Sequence, residues 1–277
     1  MKVWISCDME GVAGVSDWSQ CLPTGHGYAR GCELMLGEVN AAIDGALAGG
    51  ADEIVVNDSH GGMFNLDPVA LHGRASYLAG RHKPLYMMQG LDESADAVFF
   101  VGYHGSISGA PSVMSHSYNP EVFSGIRVDG RWVGESGINA LVTRHYGVPI
   151  ALVTGDQVTR EETLPFGPDA EYAVVKESVT RFSALNRHPE EARDLIQEAA
   201  TRAVRLAAAG ELGLPDLASP VRVELDHQTG DMAEVATWIG GVERVSERTV
   251  AIEGDDLLEV FRRFVAVNYI TRQAGGR

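Results

Sequence analysis

The chain has 277 residues, 45% of them hydrophobic, and a formal net charge of -16. That length suits one large domain or two modest ones, with enough apolar residues for a sizeable core. The acidity argues against nucleic acid and anionic membrane surfaces as partners, and no apolar run is long enough to span a bilayer. Cys7, Cys21 and Cys32 have no regular spacing, so no disulfide framework is expected and a reducing cytoplasm is the simpler location. Met1 to Ser6 carries one lysine before Asp8 interrupts, so no signal segment is expected there.

Val3-Trp4-Ile5 opens a strand, and the stretch WISCDMEGVAG places Asp8 and Glu10 directly after it. A helix is expected over Cys32–Ala48, with Met35, Val39, Ala42, Ile43 and Ala46 at helical spacing and Gly49-Gly50 as the stop. EIVVNDSHGG follows as a buried strand ending in Asn57, Asp58 and His60. A third strand, Ala97–Tyr103, ends at His104. Asp129-Gly130 signals a hairpin that would set Glu135 at the end of the returning strand, before a helix closing at Gly147. A fourth strand, Val148–Thr154, leads to Asp156. Continuous apolar runs bounded by glycine fit parallel strands covered on both faces.

Pro189 then opens a helix with Ala192, Leu195, Ile196, Ala199, Ala203 and Leu206 on one side, ending at Gly210. PVRVELDH and RTVAIEG read as strands, and Asp255 as the cap of a last helix through Leu258, Phe261 and Phe264. The expected fold is α/β, with a mostly parallel central sheet flanked by helices. Residues 1–185 would form a metal-binding catalytic domain and 186–277 a smaller α+β subdomain, with the boundary near Phe182 to His188.

In open parallel sheets, ligands bind outside the carboxyl ends of the strands. Here several strands deliver acids and imidazoles to one such edge. On a strand, residues i and i+2 face the same way, so Asp8 and Glu10 can reach one centre. Acids held that close call for a cation between them, and Asp, Glu and His suit borderline dications, zinc above all. Asp8, Glu10, His60, His104 and Glu135 are the candidate ligands. If Asp8 bridges, they make about six bonds, three to each of two ions, leaving an open position for a water acidified to a pKa of about 7. Hydrolysis of an amide or ester follows from such a site. His116, in VMSHSY, would donate a proton to the leaving amine or steady an oxyanion, against a plain structural role. His26, His72, His82, His145, His188 and His227 end no apolar run in this way. Lys176 and Arg181 read either as a solvated helix face with a capping role or as a substrate-carboxylate or subunit contact.

DMEG after the first strand, NDSH, GYH, MSHS and VGE.G.NA, in this order, resemble peptidase family M55, the D-aminopeptidase family. The likeness runs through most of the first 185 residues, including VK....R, and continues more loosely beyond. It implies an α/β fold and a binuclear zinc centre held by Asp8, Glu10, His60, His104 and Glu135, with Asp8 shared. His116 matches the histidine given the catalytic role. The resemblance also implies a cytoplasmic aminopeptidase acting on short peptides with a D-residue, such as D-alanine, at the amino end. The family's assembly is a homo-oligomeric ring, decameric by this likeness. Gln157, where a second acid is expected after Asp156, and the glycine- and serine-rich stretch from Gly105 to Pro111 depart from the pattern, and they bear on side-chain and D-residue preference. Two other readings stand beside this one: a two-metal phosphoesterase, disfavoured by the extra negative charge of an Asp-x-Glu pair where phosphate must approach, and a non-catalytic peptide-binding protein.

Overall fold

Residues Val3 to Cys7 are all buried because both faces of their strand are covered. The computed structural model describes residues 1–275. The first half of the chain runs β1 (Lys2–Cys7), α1 (Trp18–Cys21), α2 (Tyr28–Gly49), β2 (Glu53–Asp58), β3 (Ser76–Leu78), β4 (Ala97–Tyr103), β5 (Phe123–Val128), β6 (Arg131–Trp132) and α3 (Glu135–Tyr146). There follow β7 (Ile150–Asp156), α4 (Gln157–Thr163), β8 (Glu171–Thr180), β9 (Ser183–Asn186), α5 (Pro189–Ala209), β10 (Val221–His227), α6 (Gly230–Ala236), β11 (Val242–Arg244), β12 (Thr249–Gly254) and α7 (Leu257–Gln273).

The main sheet has the order β3-β2-β1-β4-β7-β8-β9, parallel throughout except for β9, which returns on β8. Alternate side chains go to opposite layers. Val3, Ile5 and Cys7 of β1, with Phe99 and Val101 of β4, pack beneath α2 and α5, which supply Met35, Val39, Ile43, Ile196 and Ala203. Trp4, Val98, Phe100 and Tyr103 face the other core, built with α3, α7 and a second sheet. That second sheet is antiparallel, with order β11-β12-β10-β5-β6. It draws β5 and β6 from before α3 and its other strands from the C-terminal part, while α5 packs on α2 over the main sheet.

Several element ends differ from expectation for local reasons. α2 begins at Tyr28, one turn before the apolar period, because Tyr28 packs partly buried against the core while Ala29 and Arg30 stay exposed. β7 extends to Asp156 because its last residues still pair with β8. Asp256, not Asp255, caps α7 by accepting from the Leu258 and Glu259 amides, while Asp255 accepts from the Ser219 hydroxyl at 2.7 Å. For the site, the consequential feature is strand order: β1 continues to β2 on one side while β4 lies on the other. The carboxyl ends of β1 and β4 therefore open a crevice where the order reverses.

A buried acid and imidazole cluster at the sheet edge

Asp8 and Glu10 lie beyond the last residue of β1, in a turn and not on the strand. Their convergence is made by that turn. The Asp8 amide donates to Val101 O and the Gly11 amide to Gly102 O, each at 2.8 Å, so the turn is sewn to β4. Gly11 is required by this contact, because a Cβ there would fall 1.8 Å from Tyr103 O. Lys176, from β8, donates its ammonium to the carbonyls of Glu10, Val12 and Val15, the last at 2.6 Å. Glu38, from α2, accepts the Ala13 amide at 2.8 Å. Lys176 is 1% exposed, so it is neither on a solvated helix nor available to a substrate: it shapes the turn that carries the acids.

Each of three histidines has one ring nitrogen engaged with a backbone carbonyl and the other turned to the acids. His60 Nε2 bonds Cys21 O at 2.8 Å, which makes it the protonated nitrogen, and Nδ1 lies 3.0 Å from both Asp8 Oδ1 and Glu10 Oε2. His104 Nδ1 donates to Gly105 O at 2.9 Å, and its Nε2 sits 3.5 Å from Asp8 Oδ2 and from Glu135 Oε1 without a hydrogen-bond partner. His116 Nδ1 donates to Met114 O at 2.9 Å and its Nε2 is 3.6 Å from Glu135 Oε1. Backbone carbonyls that fix the outer nitrogen of an imidazole are the usual support of metal-binding histidines. Asp8 thus divides its two oxygens, one toward His60 and one toward His104. His104 and His116 stack at 4.3 Å, and Trp18 meets His116 edge-on at 5.5 Å.

Glu135 is the first residue of α3, not the end of β6, and Gly134 is the residue before the helix. A helix start favours a carboxylate, and Glu135 Oε1 also accepts the Tyr118 amide at 2.7 Å. His116 comes from the segment between β4 and β5, pinned where Val113 N bonds Ser178 Oγ and Met114 N bonds Arg181 O. Met114 (φ 50°) and Tyr118 (φ 61°) on either side of it hold left-handed backbone, a strain that residues with side chains keep only where surrounding contacts enforce it.

The electrostatics demand positive charge. Asp8, Glu10 and Glu135 are 3%, 2% and 3% exposed. Burial, then the neighbouring Glu10, pushes Asp8 up to about 7. Burial also works to raise Glu10 and Glu135, but His60 and His104 respectively hold them below the usual range. Burial opposes charge on the imidazoles, yet Glu10 raises His60 above its ordinary value and Glu135 raises His104 to about 10. His116 is lowered, first by burial and then by His104. The buried atoms Glu10 Oε2 and His104 Nε2 lack hydrogen-bond partners, although both face groups of the cluster. A set of carboxylate oxygens and imidazole nitrogens, all buried and turned inward, fits a borderline dication such as zinc.

The cluster forms the buried end of a cavity of about 500 Å³ whose lining includes Asp8, Glu10, His60, His116 and Glu135, while exposed Arg81 and Arg272 belong to its outer wall. Beneath it, Ser6, Tyr103 and Asn139 are linked by hydrogen bonds of 2.7 and 2.9 Å, and Tyr118 donates to Asn139 Oδ1. Asp156, although it too ends an apolar run, stays out of the cluster: it caps α4 through Thr159 and accepts from the Ser112 and Ser178 hydroxyls. Gln157 joins α4 to the Ser178 backbone, and Ser106 anchors the glycine- and serine-rich stretch on Glu162. Arg181 contributes its carbonyl to the His116 segment and places its guanidinium 5.7 Å over the Phe182 ring. His188 caps α5, and His72 pairs with Asp44 on the surface. Cys21 lines the cavity and was given no role by its sequence context.

Comparison with known proteins agrees with this geometry in fold and in family. The family model described as peptidase M55, D-aminopeptidase, matches residues 1–266. A D-aminopeptidase of Bacillus subtilis is 32% identical over 273 residues, covering 96% of each chain. The solved Zn-dependent D-aminopeptidase DppA from Bacillus subtilis, described as a self-compartmentalizing protease, superposes with a TM-score of 0.90 at 30% identity, over 99% of this chain and 98% of that one. The chain belongs to the peptidase M55 family of D-aminopeptidases.

Proposed function

We propose that the protein is a zinc-dependent aminopeptidase that removes the N-terminal residue, a D-residue such as D-alanine, from short peptides. The observation that carries this reading is the shared Asp8, with one oxygen toward His60 and the other toward His104, at the buried end of a cavity. Asp8, Glu10 and His60 would hold one ion and Asp8, His104 and Glu135 the second. Bound zinc supplies Lewis acidity and acidifies water. His116 then has the proton work: its Nδ1–H is committed to Met114 O, and Nε2, kept neutral near pH 7, takes a proton from the attacking water and passes it to the leaving amine. The cavity suits a short peptide, whose carboxylate finds cationic groups at Arg81 and Arg272 in an otherwise acidic chain. Exposed Val179, Phe182 and Leu185 on the β8–β9 edge support assembly with further copies of the chain, and a ring is the form we favour. We place the protein in the cytoplasm on its cysteine usage; among the described residues no helix is long and apolar enough to cross a membrane.

The test is a zinc-loaded activity screen on paired L- and D-aminoacyl dipeptides, with aryl phosphates alongside. Release of the free N-terminal D-amino acid, abolished by chelation and restored by zinc, is the expected result. Full activity after stringent chelation, or turnover of phosphates alone, would reject the reading.

A further inference from the structure

The three cysteines have different surroundings. Cys7 Sγ lies 3.4 Å from Asn57 O, a carbonyl acceptor. Cys32 is half-buried on α2. Cys21, the last residue of α1, is 2% exposed, and among the described residues its thiol's hydrogen-bond partner is the thioether of Met114, at 3.9 Å, a weak acceptor. Its sulfur belongs instead to a tight group: ligating atoms of Glu10, Cys21 and His60 all lie within 4.8 Å of one another. Glu10 in that group is itself buried, with Oε2 lacking a hydrogen-bond partner. The Cys21 carbonyl fixes His60 through Nε2, so one residue both orients the imidazole and brings a sulfur beside it. α1 is held in place by a capping box of Asp17 and Gln20.

We infer that Cys21 is a further metal ligand, its thiolate joining Glu10 and His60 so that the two cation positions are chemically unequal. The inference rests on the zinc reading above. The second proposed set, Asp8, His104 and Glu135, offers only nitrogen and oxygen. Sulfur selects thiophilic ions such as zinc, cadmium or cobalt over magnesium and manganese, so the Cys21 position discriminates where its neighbour is tolerant. Binding is a ligand addition with proton release: the S–H proton leaves to solvent and the sulfur lone pair bonds the dication, which overrides the burial and the acids that keep the free thiol protonated.

The experiment uses the full chain, stripped of metal and titrated with Co²⁺. A thiolate-to-cobalt charge-transfer band in the near ultraviolet is expected as cobalt binds, and Cys21→Ser should abolish it while cobalt is still bound. Cobalt binding without the band, or a band that persists in Cys21→Ser, would overturn the inference and leave the zinc reading intact. Failure to bind cobalt or zinc at all would overturn both. A second readout needs no variant: alkylation of Cys21 by a small reagent, followed by peptide mass, should be at least tenfold slower in the zinc-loaded chain than after chelation. Equal rates would count against a metal–sulfur bond.

Discussion

His116 draws its chemistry from what surrounds it more than from its own type. Its Nδ1–H is fixed by a carbonyl, its ring is stacked on His104, and burial with the His104 charge lowers its affinity for a proton. A neutral Nε2 beside Glu135 is poised to shuttle protons, and in the proposed centre Asp8, His104 and Glu135 would hold the second ion, although the His116 nitrogen also lies within 4.8 Å of the ligating atoms of His104 and Glu135. His116→Ala is therefore expected to leave metal content, read by elemental analysis, near that of the parent, and to lower kcat about 10²-fold or more. Loss of one metal equivalent in that variant would make His116 a ligand instead. The residues of the cluster were readable to different degrees. Asp8, Glu10, His60 and His104 each follow an apolar run, a local pattern that the alternation of strands and turns exposes. Glu135 reaches the cluster by a different local route from the strand end that its sequence suggests, since its carboxylate is presented by a helix start. Cys21 was silent because nothing next to it in the chain shows that α1 folds over His60.

The turn between β1 and α1 is the element on which the site depends, and distant groups hold it. Lys176 lies 166 residues from Glu10 in the chain, so no periodicity could have announced their contact. Without its ammonium, three carbonyls in a buried turn lose their donor. Lys176→Met, of similar length but without donors, is expected to weaken zinc binding by about 10- to 100-fold, a size typical of lost support behind metal ligands. A competition titration against a chelator would measure this, and unchanged affinity would detach Lys176 from the site. Glu38 gives a pH signature of the same turn. Burial pushes its carboxyl from 4.5 up to about 7, against the Ala13 amide and Lys176, which favour the charged form. The folded chain then binds more protons at this group than the unfolded chain between those values, so its contribution to stability falls as pH rises through the window. The full loss is about 3 kcal/mol. Glu38→Gln keeps an acceptor for Ala13 and removes the titration. Denaturation curves from pH 4 to 8 should show the parent losing stability relative to the variant across the window and a constant difference above it. A flat difference throughout would mean that the Glu38 carboxyl titrates alike in the folded and unfolded chain. The α/β order, by contrast, was readable from apolar runs and helical spacing, because those patterns are set by neighbours in the chain.

A chain of contacts links the cluster to the second sheet, so metal held there would be coupled to packing beyond the main sheet. Asp8 and Glu10 extend from the main sheet. Glu135 takes the Tyr118 amide, and the Tyr118 ring packs at 4.6 Å against Phe264 of α7, which also touches Phe123 of β5 in the second sheet. The opposite layer, α2 on α5, lies across the main sheet in a separate apolar core. If dications fill the cluster as proposed, removing them would leave three buried carboxylates facing one another and forfeit the binding free energy that favours the folded state, about 3–4 kcal/mol when free metal exceeds its dissociation constant by two to three orders of magnitude. For a chain of this size that lowers Tm on the order of 10 °C. The loss should be uneven. Hydrogen exchange after chelation is expected to accelerate in the segment around Tyr118 and along α7, while α2 and α5 keep their protection. Uniform acceleration across both layers would mean that the metal centre stabilises the fold as a single block. No change near Tyr118 would separate Glu135 from the ions and leave Asp8, Glu10 and His60 as the only metal-holding group.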